Sequence, residues 1–240
     1  MFKYSGAEVY FNYIKRGDDI PIIFLHGWGR SGDDFESFAS QIYDRSILLI
    51  DFPPFGKSQH NVTGWNIFTY AGMVMSLCEH LNISKGDFVG HSFGGRVTIM
   101  ISAVKCTLVH SCILIDSAGM KPRRSLKYRY NQAIYKIKRK IKKSYRQKGS
   151  TDYEALSPAM KETFKNIVNT HLEAYAKKIK AKTLIVWGLQ DNETPIYMAR
   201  RLNKLIAGSE LKILNDGGHF SFLDCKLEFF RIVNEFYKEV

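Results

Sequence analysis

Short apolar runs alternate with longer segments of helical periodicity along almost the whole chain. Most of the runs are apolar on both faces, which is typical of strands in a parallel sheet that helices cover on both sides. The alternation therefore predicts an α/β fold with a doubly wound, mostly parallel sheet. The predicted strands cover residues 8–14, which we expect to be antiparallel, and residues 21–25, 46–50, 87–89, 112–115, 183–187 and 211–214.

Helical patterns lie between these runs, and one long segment departs from the rhythm. The predicted helices cover residues 33–41, 65–81, 93–105, 195–207 and 220–238. Residues 119–178 are helical in character, contain no predicted strand and stand between two strands, which is where a cap or lid would be inserted. No linker rich in Pro, Gly or Ser interrupts the 240 residues, so we expect one domain over residues 1–240 that contains this cap.

Composition argues against several classes of protein. Residues 1–17 alternate tyrosine, phenylalanine and charge, and no run approaches the roughly 18 apolar residues of a transmembrane helix, so we expect a cytoplasmic protein. The four cysteines are widely spaced without CxxC pairing, which predicts buried free thiols. The seven histidines lack the ligand spacing of a zinc site, so we expect no metal.

The most informative segment is GHSFGG at residues 90–95, between a predicted strand and a predicted helix. A serine on a sharp strand-to-helix turn adopts strained backbone angles, and side chains two residues before and after it would collide unless they are glycine. Gly90 and Gly94 meet that requirement. Because the turn lifts the hydroxyl above the carboxyl edge of the sheet, where open α/β sheets bind ligands, Ser92 is the candidate nucleophile.

Four segments together resemble the α/β-hydrolase superfamily, in particular its small cap-bearing esterases, lactonases and carbon-carbon hydrolases. The resemblance extends over nearly all residues outside 120–165, and the segments have the family's order and spacing. They are HGWG at 26–29, DFPPFGKS at 51–58, GHSFGG at 90–95 and GGHF at 217–220. In the family's count of strands the cap follows the sixth strand. One departure is Pro54, where the family usually has glycine, and we expect only a local effect on the loop.

A serine hydroxyl needs a base at neutral pH, and the base needs an acid that fixes its tautomer. His219 follows the last predicted strand in a loop with two glycines, so it is the candidate base. Asp191 stands at the acid position that the resemblance implies and completes the order Ser, Asp, His. Asp116, at the end of the preceding strand, is the alternative acid. No proton-transfer role is expected for His26, His60, His80, His91, His110 and His171.

The resemblance also implies groups that would bind the substrate. Backbone amides of Trp28 and Phe93, from two different loops, would form an oxyanion hole, the second of them at a helix N-terminus. Read without the family, Trp28 is equally well a wall of the pocket. Arg96 directly follows the GHSFGG turn, called the elbow below. The elbow of the synthase of menaquinone biosynthesis also continues into an arginine, and this resemblance implies that Arg96 would hold a substrate carboxylate. The alternative is that Arg96 pairs with a nearby acid.

The resemblance therefore implies a serine hydrolase that cleaves a small carboxylic ester, thioester or related acyl substrate through an acyl-enzyme intermediate, with no cofactor. An aspartate at the elbow would have favoured dehalogenase or epoxide chemistry instead. One alternative is a carbon-carbon hydrolase, or a lyase similar to the menaquinone synthase, acting on a carboxylated substrate. Another is a binding protein that keeps the hydrolase fold without turnover, against which the complete triad argues.

Positive charge is concentrated in the predicted cap. The net charge is +12, and residues 121–148 hold 13 of the 35 Lys and Arg and no Asp or Glu. One apolar stripe at helical spacing runs through this segment: Tyr130, Ile134, Ile137, Ile141 and Tyr145. The charge predicts an acidic carrier protein or an anionic membrane surface as partner, or else a solvated face. No nucleic-acid-binding signature is present, so we expect no specific nucleic acid partner.

Overall fold

The computed structural model describes residues 1–17, 20–58, 62–123 and 156–240 and contains a seven-stranded sheet. The strand order is β3-β5-β4-β6-β7-β8-β9; β3 is antiparallel to β5, and every other neighbouring pair is parallel. This confirms the predicted α/β class with a mostly parallel sheet. The strands are β1 Phe2–Tyr4, β2 Ala7–Val9, β3 Phe11–Ile14, β4 Ile22–Leu25, β5 Ile47–Ile50, β6 Gly86–His91, β7 Val109–Ile115, β8 Lys182–Gly188 and β9 Glu210–Leu214.

The predicted strand at residues 8–14 is two strands in the structure. β2 pairs with β1 in a separate two-stranded antiparallel sheet, whereas β3 joins the main sheet through β5. The division falls at Tyr10, whose amide donates to the Ser58 hydroxyl at 2.6 Å instead of to a neighbouring strand. A hydrogen bond to a residue 48 positions further along the chain thus divides into two strands a segment whose apolar pattern is continuous.

The helices cover both faces of the sheet. They are α1 Glu36–Ala39, preceded by a 3-10 turn at Gly32–Phe35, then α2 Ile67–His80, α3 Phe93–Val104, α4 Pro158–Val168, α5 Glu173–Ala176, α6 Tyr197–Leu205, α7 Ser221–Asp224 and α8 Lys226–Tyr237. The predicted helix at 220–238 is interrupted at Cys225, whose backbone is not helical (φ −117°, ψ 49°). The Asn66 carboxamide caps α2 by accepting from the amides of Phe68 and Thr69.

Two apolar clusters form the core, one on each side of the sheet. Side chains alternate along the buried strands: Ile23 belongs to the cluster that contains α2 and α3, and Ile22 belongs to the cluster that contains α1 and α8. Because β4 is fully buried on both faces, its sequence is uniformly apolar and carries no alternation of polar residues. This double-sided burial is the doubly wound arrangement, and it leaves the carboxyl ends of the strands for the site.

The described residues of the predicted cap, 119–123 and 156–178, lie between β7 and β8, where β7 is the sixth strand in the family's count. Helices α4 and α5 lie within residues 156–178, and residues 119–123 are not helical. The Thr163 hydroxyl donates to the Val62 carbonyl at 3.1 Å, and the Leu172 amide donates to the Gly119 carbonyl at 2.9 Å. Residues 124–155 lie outside the described residues, and with them most of the basic segment and its apolar stripe. The partner predicted for that segment stays a prediction.

The cysteines are free thiols, as predicted, but not all are buried. Cys78 and Cys112 are buried, and burial raises the pKa of the Cys78 thiol to about 12 and that of Cys112 to about 11. Cys106 is exposed and Cys225 is half-buried, so the prediction of burial is wrong for these two. Both follow the last turn of a helix, where an apolar residue need not face the core. Across the described ranges, no helix combines the length and apolarity that a membrane span requires.

Candidate active site

Ser92 stands on a sharp turn between β6 and α3. Its backbone has a positive φ of 48° with ψ −105°, a conformation that side-chain-bearing residues rarely adopt. A Cβ on Gly90 would lie 2.5 Å from the Gly94 carbonyl oxygen, and a Cβ on Gly94 would lie 1.9 Å from the Leu25 carbonyl oxygen. Only glycine fits at both positions, so the two glycines permit the close packing that aims the serine hydroxyl out of the sheet.

Ser92, His219 and Asp191 form a continuous chain of hydrogen bonds. The distance from Ser92 Oγ to His219 Nε2 is 3.0 Å, and the distance from His219 Nδ1 to Asp191 Oδ2 is 2.9 Å. The three side chains come from the ends of β6, β8 and β9, which meet at the carboxyl edge of the sheet. The structure thus brings together the three predicted catalytic residues in the geometry of a nucleophile, a base and an orienting acid.

The Asp191 carboxylate is held by the loop that follows it. Its Oδ1 accepts from the amides of Glu193 at 2.8 Å and Thr194 at 2.9 Å, and its Oδ2 accepts from the Thr194 hydroxyl at 2.5 Å. Burial opposes ionisation, but the bonds from His219 and Thr194 outweigh it and hold the pKa of Asp191 below its usual range. Thr194 was not among the predicted site residues; the D-x-x-T spacing, typical of a local side chain-to-backbone turn, is the signal for it.

These contacts decide the tautomer of His219. An ionised Asp191 can only accept, so Nδ1 of His219 carries the proton and Nε2 faces Ser92 as an acceptor. Burial lowers the pKa of His219, but the hydrogen bond and charge of Asp191, and further off the charges of Glu193 and Asp116, raise it above its ordinary value overall. The ring is therefore a stronger base than a free histidine.

Asp116, the alternative acid, has other partners. Its Oδ1 accepts from the Gly188 amide at 2.8 Å, and its Oδ2 accepts from the Ser221 amide at 3.2 Å and the Ser221 hydroxyl at 2.5 Å. Burial raises the pKa of Asp116 to about 7, although these hydrogen bonds act in the opposite direction. The structure places Asp116 beneath the site, where it joins the end of β8 to the residues just after His219 and so supports the loop of the base.

The loop at residues 26–29 packs directly against the elbow. The Gly94 amide donates to the His26 carbonyl at 3.0 Å, and the His26 ring accepts from the Phe52 amide through Nε2 at 2.8 Å. Phe93 is the first residue of α3, so its amide has no acceptor within the helix. Trp28 lies beside the serine in the same cavity wall. Both predicted oxyanion donors therefore belong to segments that meet at Ser92.

His91 has a role that sequence analysis did not identify. Its Nε2 donates to the carbonyl oxygen of His219 at 2.7 Å, and the ring is buried. Burial, together with the neighbouring His219, lowers the pKa of His91 to about 3, so the ring is neutral. His91 is thus a positioning residue for the backbone of the base. Its place in the elbow motif does not reveal this contact, because the partner is 128 residues away.

A cavity of about 560 Å³ lies over Ser92 and His219. An aromatic cluster lines part of its wall. The ring of Trp28 makes edge-to-face contacts with Phe55, Phe93 and Phe164, at centroid distances of 4.8, 5.4 and 5.4 Å. Phe55 comes from the loop with the unusual Pro54, which follows a cis Pro53–Pro54 peptide bond. Phe164 comes from α4. The described wall is suited to an apolar group next to the reactive serine.

Arg96 reaches the cavity, but its guanidinium is already engaged by the main chain. Its Nη1 donates to the carbonyl oxygens of Ile167 and Thr170, both at 2.8 Å, and the side chain is buried. These carbonyls lie at and just beyond the end of α4, where a helix leaves acceptors unpaired. The sequence predicted neither of these main-chain contacts, and binding of a substrate carboxylate by Arg96 stays a prediction. They tie the elbow helix to the cap.

We expect Arg96→Met to destabilise the protein and to weaken activity on charged and neutral esters alike. One buried and one half-buried carbonyl would lose their donor, at a cost of about 2–4 kcal/mol. A chain of this size loses roughly 2–4 °C in Tm for each kcal/mol. Thermal unfolding and kcat/KM on a neutral and a carboxylated ester would be measured, with the exposed Arg200→Met as control. A loss confined to the carboxylated ester would instead assign Arg96 to substrate binding.

Comparison with known proteins places the sequence among hydrolases. The alpha/beta hydrolase fold family matches residues 20–164 and 126–225. The uncharacterized hydrolase YugF of Bacillus subtilis (strain 168) is 26% identical over 247 residues, which cover 91% of this chain and 90% of that protein. The 2-hydroxy-6-oxononadienedioate/2-hydroxy-6-oxononatrienedioate hydrolase of Escherichia coli (strain K12) is 28% identical over 247 residues, which cover 89% of this chain and 85% of that protein.

Solved structures share the fold. The esterase EaEST from Exiguobacterium antarcticum aligns with a TM-score of 0.77 at 22% identity, over 97% of this chain and 96% of that one. The enol-lactonase from Burkholderia xenovorans LB400 aligns with a TM-score of 0.76 at 19% identity, over 98% of each chain. The resemblance inferred from the four sequence segments is thereby confirmed. With a family match over more than half of its length, the chain belongs to the alpha/beta hydrolase fold family.

Proposed function

We propose that this hydrolase cleaves a carboxylic ester, thioester or related acyl substrate through a covalent intermediate on Ser92. The observation that carries the proposal is the hydrogen-bonded chain from Ser92 through His219 to Asp191 at the floor of the cavity. A serine hydroxyl is a weak nucleophile unless a base removes its proton as it attacks. The chain supplies that base in the correct tautomer.

In the first half-reaction Ser92 Oγ attacks the acyl carbonyl carbon while its proton passes to Nε2 of His219. The carbonyl electrons move onto the oxygen, and the amides of Trp28 and Phe93 stabilise the charge that develops there. The tetrahedral intermediate then collapses, the bond to the leaving group breaks, and His219 returns the proton to the departing alcohol or thiol. The acyl group stays bonded to Ser92.

In the second half-reaction water replaces the leaving group. His219 removes a proton from the water as the water oxygen attacks the acyl carbon, and the same two amides stabilise the oxyanion. The bond to Ser92 Oγ breaks, the serine recovers its proton from His219, and the carboxylic acid departs. Asp191 remains ionised throughout and stabilises the imidazolium that forms in each half.

A carbon-carbon hydrolase is the second candidate. What favours it is the 28% identity to the Escherichia coli enzyme named as a 2-hydroxy-6-oxononadienedioate/2-hydroxy-6-oxononatrienedioate hydrolase. A dicarboxylated substrate of this kind calls for a cation in the pocket, and Arg96 is engaged by two main-chain carbonyls. We therefore prefer the ester or thioester, and a lyase similar to the menaquinone synthase is disfavoured on the same ground.

A fluorophosphonate probe is expected to label Ser92 covalently and with a stoichiometry approaching one. The activated hydroxyl and the two amide donors would recognise tetrahedral phosphorus as they recognise the acyl transition state. Peptide mass mapping identifies the labelled residue, and Ser92→Ala serves as the control. Stoichiometric labelling at another residue, or undiminished labelling of the Ser92→Ala protein, would refute the assignment of the nucleophile.

A further inference from the structure

A second carboxylate stands beside the base, at the opening of the cavity. Glu193 Oε2 lies 3.4 Å from Nε2 of His219, the same nitrogen that faces Ser92. The Glu193 side chain is 67% exposed, whereas that of Asp191 is fully buried. Its backbone is held by the Asp191 carboxylate, which accepts from the Glu193 amide at 2.8 Å. The turn that fixes the orienting acid therefore also directs Glu193 towards the reacting atoms.

The other charged groups of the described cavity wall are two arginines, and both make hydrogen bonds within the protein. The Arg30 guanidinium donates to both oxygens of Asp34 and lies over the Phe220 ring, and Arg96 donates to two carbonyls. Among the lining residues that the structure describes, Glu193 is the one carboxylate. The carboxylate that a leaving group meets beside Nε2 of His219 is therefore that of Glu193.

The chemistry decides which part of the substrate meets this charge. Nε2 of His219 returns a proton to the leaving group, so the leaving-group atom must come within hydrogen-bond reach of that nitrogen. The Glu193 carboxylate lies 3.4 Å from the same nitrogen. A charge carried on the leaving group within a few bonds of the scissile bond would therefore lie close to the Glu193 carboxylate, while the acyl chain occupies the aromatic part of the cavity.

We propose that Glu193 is a specificity-determining residue that favours substrates with a neutral or cationic leaving group and disfavours those with an anionic one. The inference rests on the proposed function, because it requires His219 to protonate a leaving group beside Ser92. Because Glu193 is exposed, solvent weakens its effect, and we expect a preference of roughly three- to tenfold for each unit of leaving-group charge at low ionic strength. Salt should reduce this preference, since the Debye length is about 10 Å at 0.1 M.

The test compares three butanoyl esters, those of choline, of its uncharged isostere dimethylbutanol and of the anionic alcohol isethionate. The rate constant kcat/KM is measured for each ester at low and high salt in the wild type, Glu193→Gln and Glu193→Lys. The neutral ester is the internal reference. Glu79→Gln is the matched control, because Glu79 is exposed near the end of α2, at the amino edge of the sheet, and its loss changes the net charge equally.

We expect the choline-to-isethionate ratio to exceed one in the wild type and in Glu79→Gln. Because the two alcohols differ by two charge units, the ratio should fall by roughly nine- to hundredfold in Glu193→Gln, and it should reverse in Glu193→Lys. A ratio that stays within about twofold of the wild type in both Glu193 variants overturns the inference, while turnover that depends on Ser92 leaves the proposed function standing. If the wild type hydrolyses none of the three esters, or if Ser92→Ala retains the rate, the proposed function and this inference both fail.

Discussion

Alanine at Ser92 or at His219 is expected to lower kcat by roughly three to six orders of magnitude while leaving the fold intact. Without Ser92 Oγ no covalent intermediate forms, and without His219 the hydroxyl keeps its proton during attack. The two losses should not add in the double variant, because both residues act in the same proton transfer. Steady-state kinetics on an ester that the wild type hydrolyses, together with circular dichroism of each variant, checks this.

A matched control is available in His80→Ala, because His80 is exposed at the last turn of α2 and packs against Phe2 rather than near the site. Its activity should stay close to that of the wild type. If His219→Ala retained more than about one tenth of the wild-type kcat in a folded protein, a different base would be required, since a general base in such a role contributes about 10²–10⁴-fold.

The second large effect separates the two aspartates. Asp191→Asn is expected to lower kcat about 10²–10⁴-fold, because the amide would favour the wrong tautomer of His219 and would no longer stabilise the imidazolium. Asp116→Asn should lower kcat less than about tenfold, and its main effect should be a loss of about 1–3 kcal/mol in the free energy of unfolding, as Gly188 and Ser221 lose part of their acceptor. Kinetics and urea denaturation of both variants provide the comparison.

The pH profile gives an independent measure of the same assignment. His219 acts as a base only when it is neutral, so kcat/KM falls as the pH drops through its pKa. Asp191 raises that pKa through its hydrogen bond and its charge, so the acidic limb should move to lower pH in Asp191→Asn. In Asp116→Asn, whose carboxylate makes a smaller contribution, the limb should move less. If Asp116→Asn lost more kcat than Asp191→Asn and showed the larger shift of the acidic limb, Asp116 would be the acid.

The raised pKa of Asp116 also makes the stability of the folded protein depend on pH. Its pKa is about 7 in the folded protein and near the ordinary aspartate value of about 4 when unfolded. A carboxyl whose pKa is raised on folding contributes stability below its unfolded pKa and loses that contribution as the pH rises through the folded pKa. Because ionised Asp116 destabilises the folded protein above pH 7, the free energies of unfolding of Asp116→Asn and the wild type should be compared below pH 7.

The sequence by itself determined the fold class and the elbow, because both depend on local properties. Apolar runs without alternation indicated strands buried on both faces, and the glycines on either side of Ser92 indicated a turn that admits no other residue. The order Ser92, Asp191, His219 came from the resemblance to the α/β-hydrolase superfamily. The three residues follow β6, β8 and β9, whose carboxyl ends meet at one edge of the sheet.

Only the tertiary structure decided which groups these residues contact. Asp191 rather than Asp116 meets His219, because Asp116 is turned towards Gly188 and Ser221 beneath the site. The Arg96 guanidinium donates to carbonyl oxygens that lie 71 and 74 residues away along the chain. The approach of Glu193 to His219 depends on a turn built around the Asp191 carboxylate. Each of these contacts joins segments that are distant along the chain, and a local residue pattern specifies which side chain is present but not which partner the folded chain presents to it.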